Sequence, residues 1–411
     1  MKEKRERRKE KGEKLPYKLV TYKFVSYICA TKYPAMETPF AFGKIVADPH
    51  FTNRVAEAER LTKNFLMGAN TIIISPRRWG KSSLVHHAAG LVRKQHPHIR
   101  FIFIDLFNVR TEAQFYQLLA KETLKAFSTK VDDILEQSRR FLGRLIPKIT
   151  FSPGPDTDFS LSFDWEEIKK EPGEILFLAE RLAGARNMKA VICIDEFQNI
   201  AFFEDPLGFQ KKLRANWQLL QHASFCLFGS KRHMMMEVFN APSMPFYKFG
   251  DVVFLEKISR EDWITYLEKG FMLSGKSIGR KSCELIAQLA DNHPYYVQQL
   301  AQLTWLRTSG KCAENIIHEA FESLVMQLSM LFHAATDGLS TTQVNFLKAL
   351  IDGVEHFSAR HNLEKYQLGT SANIQRIKQA LVAKEIIDTT RGSVQILDPL
   401  YAWWLKYFYW K

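Results

Sequence analysis

The sequence has few cysteines and lacks any long apolar segment. The five cysteines are scattered, odd in number and without a C-x-x-C pair: Cys29, Cys193, Cys226, Cys283 and Cys312. This scatter fits a reducing compartment rather than a disulfide framework, so we expect a cytoplasmic protein. No apolar run approaches the roughly 20 residues that a membrane-spanning helix requires, so we expect no membrane span.

Apolar residues are nevertheless abundant, and positive charge is concentrated at one end of the chain. Hydrophobic side chains make up 46% of the 411 residues, which argues against a disordered chain and leaves room for two or three domains. Residues 1–35 contain eleven basic and four acidic side chains, a net charge of +7 within a total of +13. The basic excess therefore belongs mainly to a predicted N-terminal extension, residues 1–37, and permits contact with nucleic acid or another anionic surface without establishing it.

An apolar, β-branched run at residues 71–74 ends in a loop that is followed by a helical pattern. Leu84, Ala88 and Leu91 share one face of that helix. The loop reads S-P-R-R-W-G-K-S-S, and its first eight residues differ at one position from the phosphate-binding pattern G-x-x-x-x-G-K-[ST]. Nine residues are therefore predicted to bind the phosphates: Ser75, Pro76, Arg77, Arg78, Trp79, Gly80, Lys81, Ser82 and Ser83.

Each part of this loop has a physical role in binding a nucleoside triphosphate. Backbone amides and the helix N-terminus present positive partial charge to phosphate oxygens. Lys81 is predicted to reach the β- and γ-phosphates, and the Ser82 hydroxyl to ligate Mg²⁺. Ser75 stands where glycine is favoured for a tight turn, but serine is small and Pro76 restricts the backbone, so we expect a working loop. The alternative is an ordinary strand-to-helix turn in which Gly-Lys-Ser occurs by chance.

A second apolar run, residues 190–194, ends in two carboxylates, Asp195 and Glu196. The run is typical of a buried parallel strand, and ligands of open α/β sheets bind beyond the carboxyl ends of such strands. Asp195 is predicted to hold Mg²⁺ through water, and Glu196 to act as the general base that polarises the attacking water. The alternative is an acidic helix N-terminus.

A third apolar run, residues 225–228, is followed by Gly229, Ser230, Lys231 and Arg232. Ser230 is predicted to hydrogen-bond the γ-phosphate or its water. Arg232 or Lys231 is predicted to stabilise charge on the transferring phosphoryl group. The alternatives are a helix N-cap for Ser230 and a solvated surface for the two basic residues.

Strands alternating with helices predict a mostly parallel α/β sheet in the first part of the chain. Further buried strands are predicted at residues 101–106 and 252–255, with a β-hairpin insertion at about 149–164. From residue 259 onward the pattern is helical. The predicted domains are an ATPase core over residues 38–257, a helical lid over 258–334 and a winged-helix domain over 335–411.

The C-terminal part has the order helix, helix, β-hairpin, which is typical of a winged helix-turn-helix. Helices are predicted at residues 341–350 and 371–381, followed by a hairpin around Arg391 and Gly392. Three residues of the second helix are predicted to face the core: Ile374, Ile377 and Leu381. Four others are predicted to face outward, where they could contact DNA bases or phosphates: Asn373, Gln375, Arg376 and Gln379. A contact with protein, or with the ATPase core of the same chain, is an equal alternative because the helix carries few bases.

Together these residues resemble the archaeal-type ATPases, a branch of the STAND and AAA-like P-loop proteins. The resemblance spans about residues 38–406. It rests on short motifs: F-x-N-R-x-x-E from Phe51, the loop from Ser75 to Leu84, I-D-E ending at Glu196, Gly229-Ser230 followed by Met234-Met235, Pro294-Tyr295, and Asp398-Pro399-Leu400 with Trp403.

The resemblance implies an ASCE-type P-loop NTPase with a helical lid and a C-terminal winged helix. Its sheet would carry an extra strand between the two nucleotide-binding strands. ATP with Mg²⁺ would be the ligand, hydrolysis would act as a switch, and the paired Arg77 and Arg78 would sense phosphate or a partner.

Three functions are consistent with these patterns. The first is a Mg-dependent ATPase whose slow hydrolysis switches its conformation. The second is an ATP-regulated DNA-binding protein whose winged helix is the working end. The third is a nucleotide-bound scaffold that does not hydrolyse ATP, a hypothesis motivated by Ser75. A protein partner or a homo-oligomer is compatible with each of the three.

Overall fold

The strand that precedes the phosphate-binding loop lies inside a parallel sheet. The computed structural model describes residues 38–46, 51, 53–142, 145, 148–151, 159–389 and 392–411, so the predicted extension at residues 1–37 lies outside the described part. The strands of the main sheet are β1 Thr71–Ile74, β2 Ile99–Asp105, β5 Lys189–Asp195, β6 Ala223–Gly229 and β7 Asp251–Phe254. They lie side by side in the order β2-β5-β6-β1-β7. Neighbouring strands are all parallel, and β6 separates β1 from β5, which confirms the predicted extra strand.

Both faces of this sheet are buried because successive side chains of a strand point to opposite sides. Ile73 packs into one core with residues of the helix after the loop, whereas Ile72 and Ile74 pack into another. The helices of this region are α1 Val55–Met67, α2 Lys81–Gln95, α3 Glu112–Phe127, α4 Val131–Phe141, α5 Trp165–Lys170, α6 Gly173–Leu176, α7 Leu178–Ala185, α8 Pro206–Trp217 and α9 Arg232–Asn240. A parallel sheet requires this cover on both faces, and it leaves only the strand ends open to a ligand.

Two local features of this region differ from what the sequence patterns indicated. The buried stripe of α2 is formed by Leu84, Val85, Ala88, Ala89 and Val92. Leu91, predicted to share one face with Leu84 and Ala88, is only partly buried because this stripe is centred away from it. The sequence patterns also did not predict α4.

An antiparallel strand pair lies where the sequence predicts a hairpin insertion. Its strands are β3 Lys148–Phe151 and β4 Phe159–Ser162. Phe159 and Leu161 of β4 alternate into the core, as a half-buried strand requires, while the turn at residues 152–158 lies outside the described part.

The lid and the winged helix share one hydrophobic core. The lid contains α10 Arg260–Leu273, α11 Arg280–Leu289 and α12 Pro294–Arg307, followed by the long helix α13 Glu314–Asp337. The C-terminal module contains α14 Thr341–Ile351, α15 Arg360–Lys365, α16 Ser371–Ala383, β8 Ile387–Asp388, β9 Gln395–Ile396, α17 Pro399–Trp404 and a π-helical turn Leu405–Tyr409. The predicted limit between residues 334 and 335 falls inside α13, and the domain limits stay predictions.

The winged-helix arrangement matches the predicted fold class. Ile374, Ile377 and Leu381 of α16 are buried, as the helical period predicted. The short helix α15 was not predicted, because six residues give too little periodicity. Among the described residues, no helix is both long enough and apolar enough to cross a membrane.

Candidate functional site

The loop between β1 and α2 turns on two residues with left-handed backbone conformation. Gly80 has a φ of 87° and Arg78 a φ of 62°, whereas Ser75 is not in this region. Glycine is favoured where φ is positive, and Ser75 has no such conformation, so the absence of glycine at position 75 does not strain the loop. The strain instead falls on Arg78, a position where a side chain is unfavourable.

The Lys81 ammonium group is buried inside the loop. Its Nζ donates hydrogen bonds to the carbonyl oxygens of Ser75, at 3.1 Å, and Pro76, at 2.9 Å. Burial lowers the pKa of Lys81 to about 8, against the attraction of Asp195 and Glu196. This charge is therefore costly to keep in the protein, and an anion in the loop would compensate it.

Ser82 and Asp195 meet at the carboxyl ends of β1 and β5. The Ser82 Oγ donates a hydrogen bond of 2.6 Å to the Asp195 Oδ2. Burial raises the pKa of the Asp195 carboxyl to about 6, a shift that the Ser82 hydrogen bond opposes. A hydroxyl and a carboxylate are hard oxygen ligands of the kind that Mg²⁺ prefers, so this pair fits the predicted ion.

Glu196 is held by two donors beside this pair. The Ser230 Oγ donates a 2.9 Å hydrogen bond to its carboxylate, and the Gln198 side-chain amide donates to the same oxygen. Gly229 makes room for this arrangement, because a Cβ there would collide with the Gln198 carboxamide. Glu196 itself has a φ of 52°, a strained conformation of the kind that clusters at functional sites.

Ser230 therefore contacts Glu196 in this structure. The alternative reading as a helix N-cap does not hold, since Lys231 takes that position of α9. Lys231 lies over the Phe202 ring, at 5.3 Å from its centroid.

Arg232, predicted to stabilise the transferring phosphoryl group, lines the same cavity as the loop and contacts the winged helix. Its guanidinium forms an ion pair with Asp388 of β8, in the winged helix. Both side chains are largely buried, with exposed fractions of 10% and 16%. A phosphoryl group would have to compete with this carboxylate for Arg232.

The remaining loop residues divide between solvent and the lid. Arg77 and Arg78 are exposed, and the Arg78 guanidinium lies 4.5 Å from the centre of the Tyr295 ring. Trp79 is buried and meets the edge of His293. Burial lowers the pKa of His293 to about 3, so this imidazole is neutral near pH 7.

Ser83 connects the loop to the segment at residues 41–46. Its Oγ accepts a 2.9 Å hydrogen bond from the backbone N–H of Val46. At the other end of the segment, the Gln298 side chain of the lid accepts a 3.1 Å hydrogen bond from the N–H of Ala41. Ser83 is therefore placed to position this segment, which lines the same cavity as the loop.

The loop, this segment, the lid and the winged helix enclose a cavity of about 1160 Å³. Pockets for small ligands usually measure about 300–1,000 Å³, so this cavity has room for a nucleotide. Several residues that line it were given no role from the sequence, among them the charged side chains of Arg54, Glu385, Asp388 and Asp398. Arg54 and Asp398 lie in motifs of the resemblance, whereas no local pattern marks Glu385 or Asp388.

Besides Asp388, whose ion pair with Arg232 is described above, Arg54 and Asp398 have side-chain contacts around the cavity. The Arg54 guanidinium pairs with Glu57 at 2.9 Å and donates a hydrogen bond to the carbonyl oxygen of Trp79 in the loop. The Asp398 carboxylate accepts from Tyr296 of the lid and from two backbone N–H groups of α17. The loop, the lid and the winged helix are thereby linked around the cavity.

The predicted DNA-facing residues lie apart, on α16. Gln375, Arg376 and Gln379 are exposed, as predicted. Asn373 is partly buried, and its side-chain amide donates a 3.0 Å hydrogen bond to the carbonyl oxygen of Leu368. Asn373 is therefore less exposed than the other three residues, because its amide contacts the preceding turn, and its contact with DNA stays a prediction.

A parallel sheet in this order, with a phosphate-binding loop after β1 and carboxylates after β5, defines the P-loop NTPase fold. The sequence profile of a family described as a probable winged helix domain matches residues 330–407. The structure is similar to a Walker-type ATPase of Pyrococcus abyssi, with a TM-score of 0.65, 17% identity, and coverage of 90% of this chain and 100% of that one. It is also similar to the Aeropyrum pernix ORC2 protein in ADPNP–ADP complexes, with a TM-score of 0.55, 14% identity, and coverage of 88% and 94%.

At this level of identity the two structures establish the fold. The chain thus has the fold of archaeal Walker-type ATPases with a C-terminal winged helix, in agreement with the resemblance found in the sequence. Among curated proteins, no relative matches by sequence.

Proposed function

We propose that this protein binds ATP with Mg²⁺ and hydrolyses it, using hydrolysis as a conformational switch. The observation that carries the proposal is the meeting of Lys81, Ser82, Asp195 and Glu196 at one edge of the sheet. Ser82 and Asp195 are 113 positions apart in the chain yet share a hydrogen bond of 2.6 Å. Such convergence of a lysine, a hydroxyl and two carboxylates in a cavity is what phosphoryl transfer to water needs.

Each residue of this cluster has a role in the proposed reaction. Lys81 provides positive charge to the phosphates, and Ser82 with Asp195 would hold Mg²⁺, which supplies further charge when bound. Glu196, oriented by Ser230 and Gln198, accepts a proton from water as the water oxygen bonds to the γ-phosphorus. The bond between the γ-phosphorus and the oxygen that bridges it to the β-phosphate breaks, and ADP and phosphate leave.

The structural neighbours support the ligand class. One is described as a Walker-type ATPase, and the other was determined with ADPNP and ADP. Because both share this fold over nearly their whole length, a nucleotide is the ligand we assign to the cavity.

The test of the general base is Glu196→Gln. The amide keeps the size of the side chain but cannot take the proton, so ATP binding should persist while phosphate release falls by about 100-fold or more. Glu204→Gln is a matched control, since Glu204 is exposed and outside the cavity lining. Unchanged phosphate release in Glu196→Gln would refute the base assignment. Wild-type protein that binds ATP but completes no turnover would instead support the scaffold function.

A second candidate function is DNA binding through α16, favoured by the exposure of Gln375, Arg376 and Gln379 on the helix before the wing. Titration of a DNA duplex at several salt concentrations, with and without ATP, tests it. No binding at low salt removes this candidate. Molecular mass measured with and without nucleotide tests the proposed homo-oligomer.

A further inference from the structure

The long helix α13 carries a face that is both exposed and uncharged. Residues 323–336 contain no aspartate, glutamate, lysine or arginine. Met326, Met330 and Leu331 are exposed apolar residues of this stretch, and Met330 is 84% exposed. Ala334, one helical turn after Met330, is exposed as well, so the four residues share one broad face of the helix. We call these four residues the outer face of α13.

The opposite side of α13 packs into the core that the lid shares with the winged helix. Leu324, Val325 and Phe332 are buried there. The Trp404 indole N–H donates a 3.0 Å hydrogen bond to the Ser329 Oγ on the same side. The stretch is therefore uncharged around its whole circumference, a composition typical of helices that are covered on both sides. An exposed apolar surface of this kind marks an interaction site.

The position of Met330 favours a second copy of this chain as the cover. Met326 and Ala334 lie four positions before and four positions after Met330. If two copies of α13 pack antiparallel around a twofold axis at Met330, Met326 of each helix faces Ala334 of the other. A large side chain then meets a small one on both sides of the axis, as close helix packing requires.

The charges at the two ends of the stretch also match in this arrangement. Asp337 lies seven positions after Met330 and Ser323 seven positions before it, so the two residues meet across the axis. The Arg307 guanidinium donates a 3.1 Å hydrogen bond to the Ser323 Oγ. Arg307 and Asp337 are both exposed. A cation therefore lies where the carboxylate of the second copy arrives, and twofold symmetry makes this contact twice.

We propose that the protein forms a homodimer through the outer face of α13, with Met330 on the twofold axis and Arg307 paired with Asp337 across it. In the described part of the chain, no residue of α13 lines the nucleotide cavity, so the dimer should form with and without nucleotide. One pair of helices forms a small interface compared with the roughly 1,200–2,000 Å² of stable complexes, so we expect a dissociation constant in the micromolar range.

The experiment measures molecular mass against concentration by sedimentation equilibrium, on the full chain without nucleotide. The wild type should pass from monomer to dimer as its concentration rises. Met330→Glu should raise the dissociation constant by about 100-fold or more, because it brings two carboxylates together at the axis. Met272→Glu is the matched control, since Met272 is 68% exposed, lies on α10 outside the outer face, and its substitution adds the same charge. The control should leave the dissociation constant unchanged.

Charge reversal tests the antiparallel orientation of the two helices. Arg307→Glu and Asp337→Arg, each alone, should raise the dissociation constant by about tenfold, because each places like charges together at two symmetric contacts. The two substitutions combined in one chain reverse both signs and should return the dissociation constant to near the wild-type value. Loss in each single variant without recovery in the combined variant overturns the arrangement.

Two further outcomes overturn the proposal. A wild type that stays monomeric at all concentrations does so, and makes a different protein the partner to seek. A dimer that Met330→Glu leaves unchanged does so too, because its contact then lies elsewhere. Equal unfolding midpoints of wild type and variant, measured at concentrations where both are monomers, show that Met330→Glu is folded. If it does not fold, the charge-reversal variants at the two exposed ends decide the question.

Discussion

The nucleotide cavity and the outer face of α16 are two very different candidate working surfaces. In the cavity, buried charged groups from distant parts of the chain meet. Burial lowers the pKa of Lys81 and raises the pKa of Asp195, and both shifts favour the neutral form of the side chain. On α16, Gln375, Arg376 and Gln379 are exposed neighbours on one helix, with a single positive charge among them. The buried charges of the cavity carry a free-energy cost that a bound ligand would offset, whereas the exposed helix face carries no such cost.

This difference favours the cavity over the outer face of α16 as the place of the proposed reaction. The side of the module that includes Asp388 is moreover engaged with the ATPase core. Of the two uses considered for the winged helix, contact with its own ATPase core therefore has a direct observation behind it.

The largest expected effect comes from removing the buried charge of the cavity with Lys81→Met. ATP affinity should fall by about 100-fold, or about 3 kcal/mol, because a buried partner of the phosphates is lost. At pH 7, below the lowered pKa of about 8, the charged lysine destabilises the nucleotide-free fold. The variant without nucleotide should therefore be more stable, by roughly 1 kcal/mol or more.

Calorimetry with ATP and denaturant unfolding without it measure these two effects. A variant that binds ATP as tightly as the wild type would remove the contrast between the two surfaces.

A smaller effect is expected from pH, through Asp195. Its pKa of about 6 lies above the ordinary value of 3.8, so the carboxylate takes up a proton in the folded state before it does in the unfolded chain. Its contribution to the stability of the free protein should increase as pH falls from about 6 to about 4, the reverse of the usual aspartate. The gain in ATP affinity from Mg²⁺ should disappear in the same range, because protonation removes an ion ligand.

ATP titrations with and without Mg²⁺ at several pH values measure this dependence. Asp195→Asn should show no Mg²⁺-dependent gain at any pH. A gain that persists in this variant would contradict the assignment of the ion site.

The smallest effect is expected on α16. If a DNA duplex binds, Arg376→Ala should weaken the binding by about 1 kcal/mol or less. It should also reduce the slope of the logarithm of the binding constant against the logarithm of the salt concentration by about one unit. Lys378→Ala is the control, since it removes the same charge from the same helix, but its Nζ lies 5.3 Å from the Phe357 ring. An equal loss of DNA affinity in both variants would mean that the net positive charge of the module, rather than the outer face of α16, binds the duplex.

The strands, the loop and the acidic pair were predictable because each rests on local patterns. The apolar β1 is followed by the loop that contains Gly-Lys-Ser, β5 ends at the Asp-Glu pair, and the sheet brings the carboxyl ends of both strands together. The inward positions of α16 followed from the helical period in the same way.

The sequence patterns were less informative where contacts outside a simple period or motif decide. Arg232 and Asp388 are 156 residues apart, and no period or motif relates them. Asn373 stands at an outward position by helical period, yet its amide finds the carbonyl of Leu368 in the preceding turn. The role of Ser75 was open for a similar reason, since only the backbone conformation shows that Arg78 and Gly80 make the turn.

The most direct test of the central claim is a calorimetric titration of the wild-type chain and of Lys81→Met with ATP, each with and without Mg²⁺. Binding that is tight in wild type, strengthened by Mg²⁺ and lost in the variant is the result we predict. Absence of binding in the wild type, or binding that neither Mg²⁺ nor the substitution affects, would contradict a nucleotide site at Lys81, Ser82, Asp195 and Glu196.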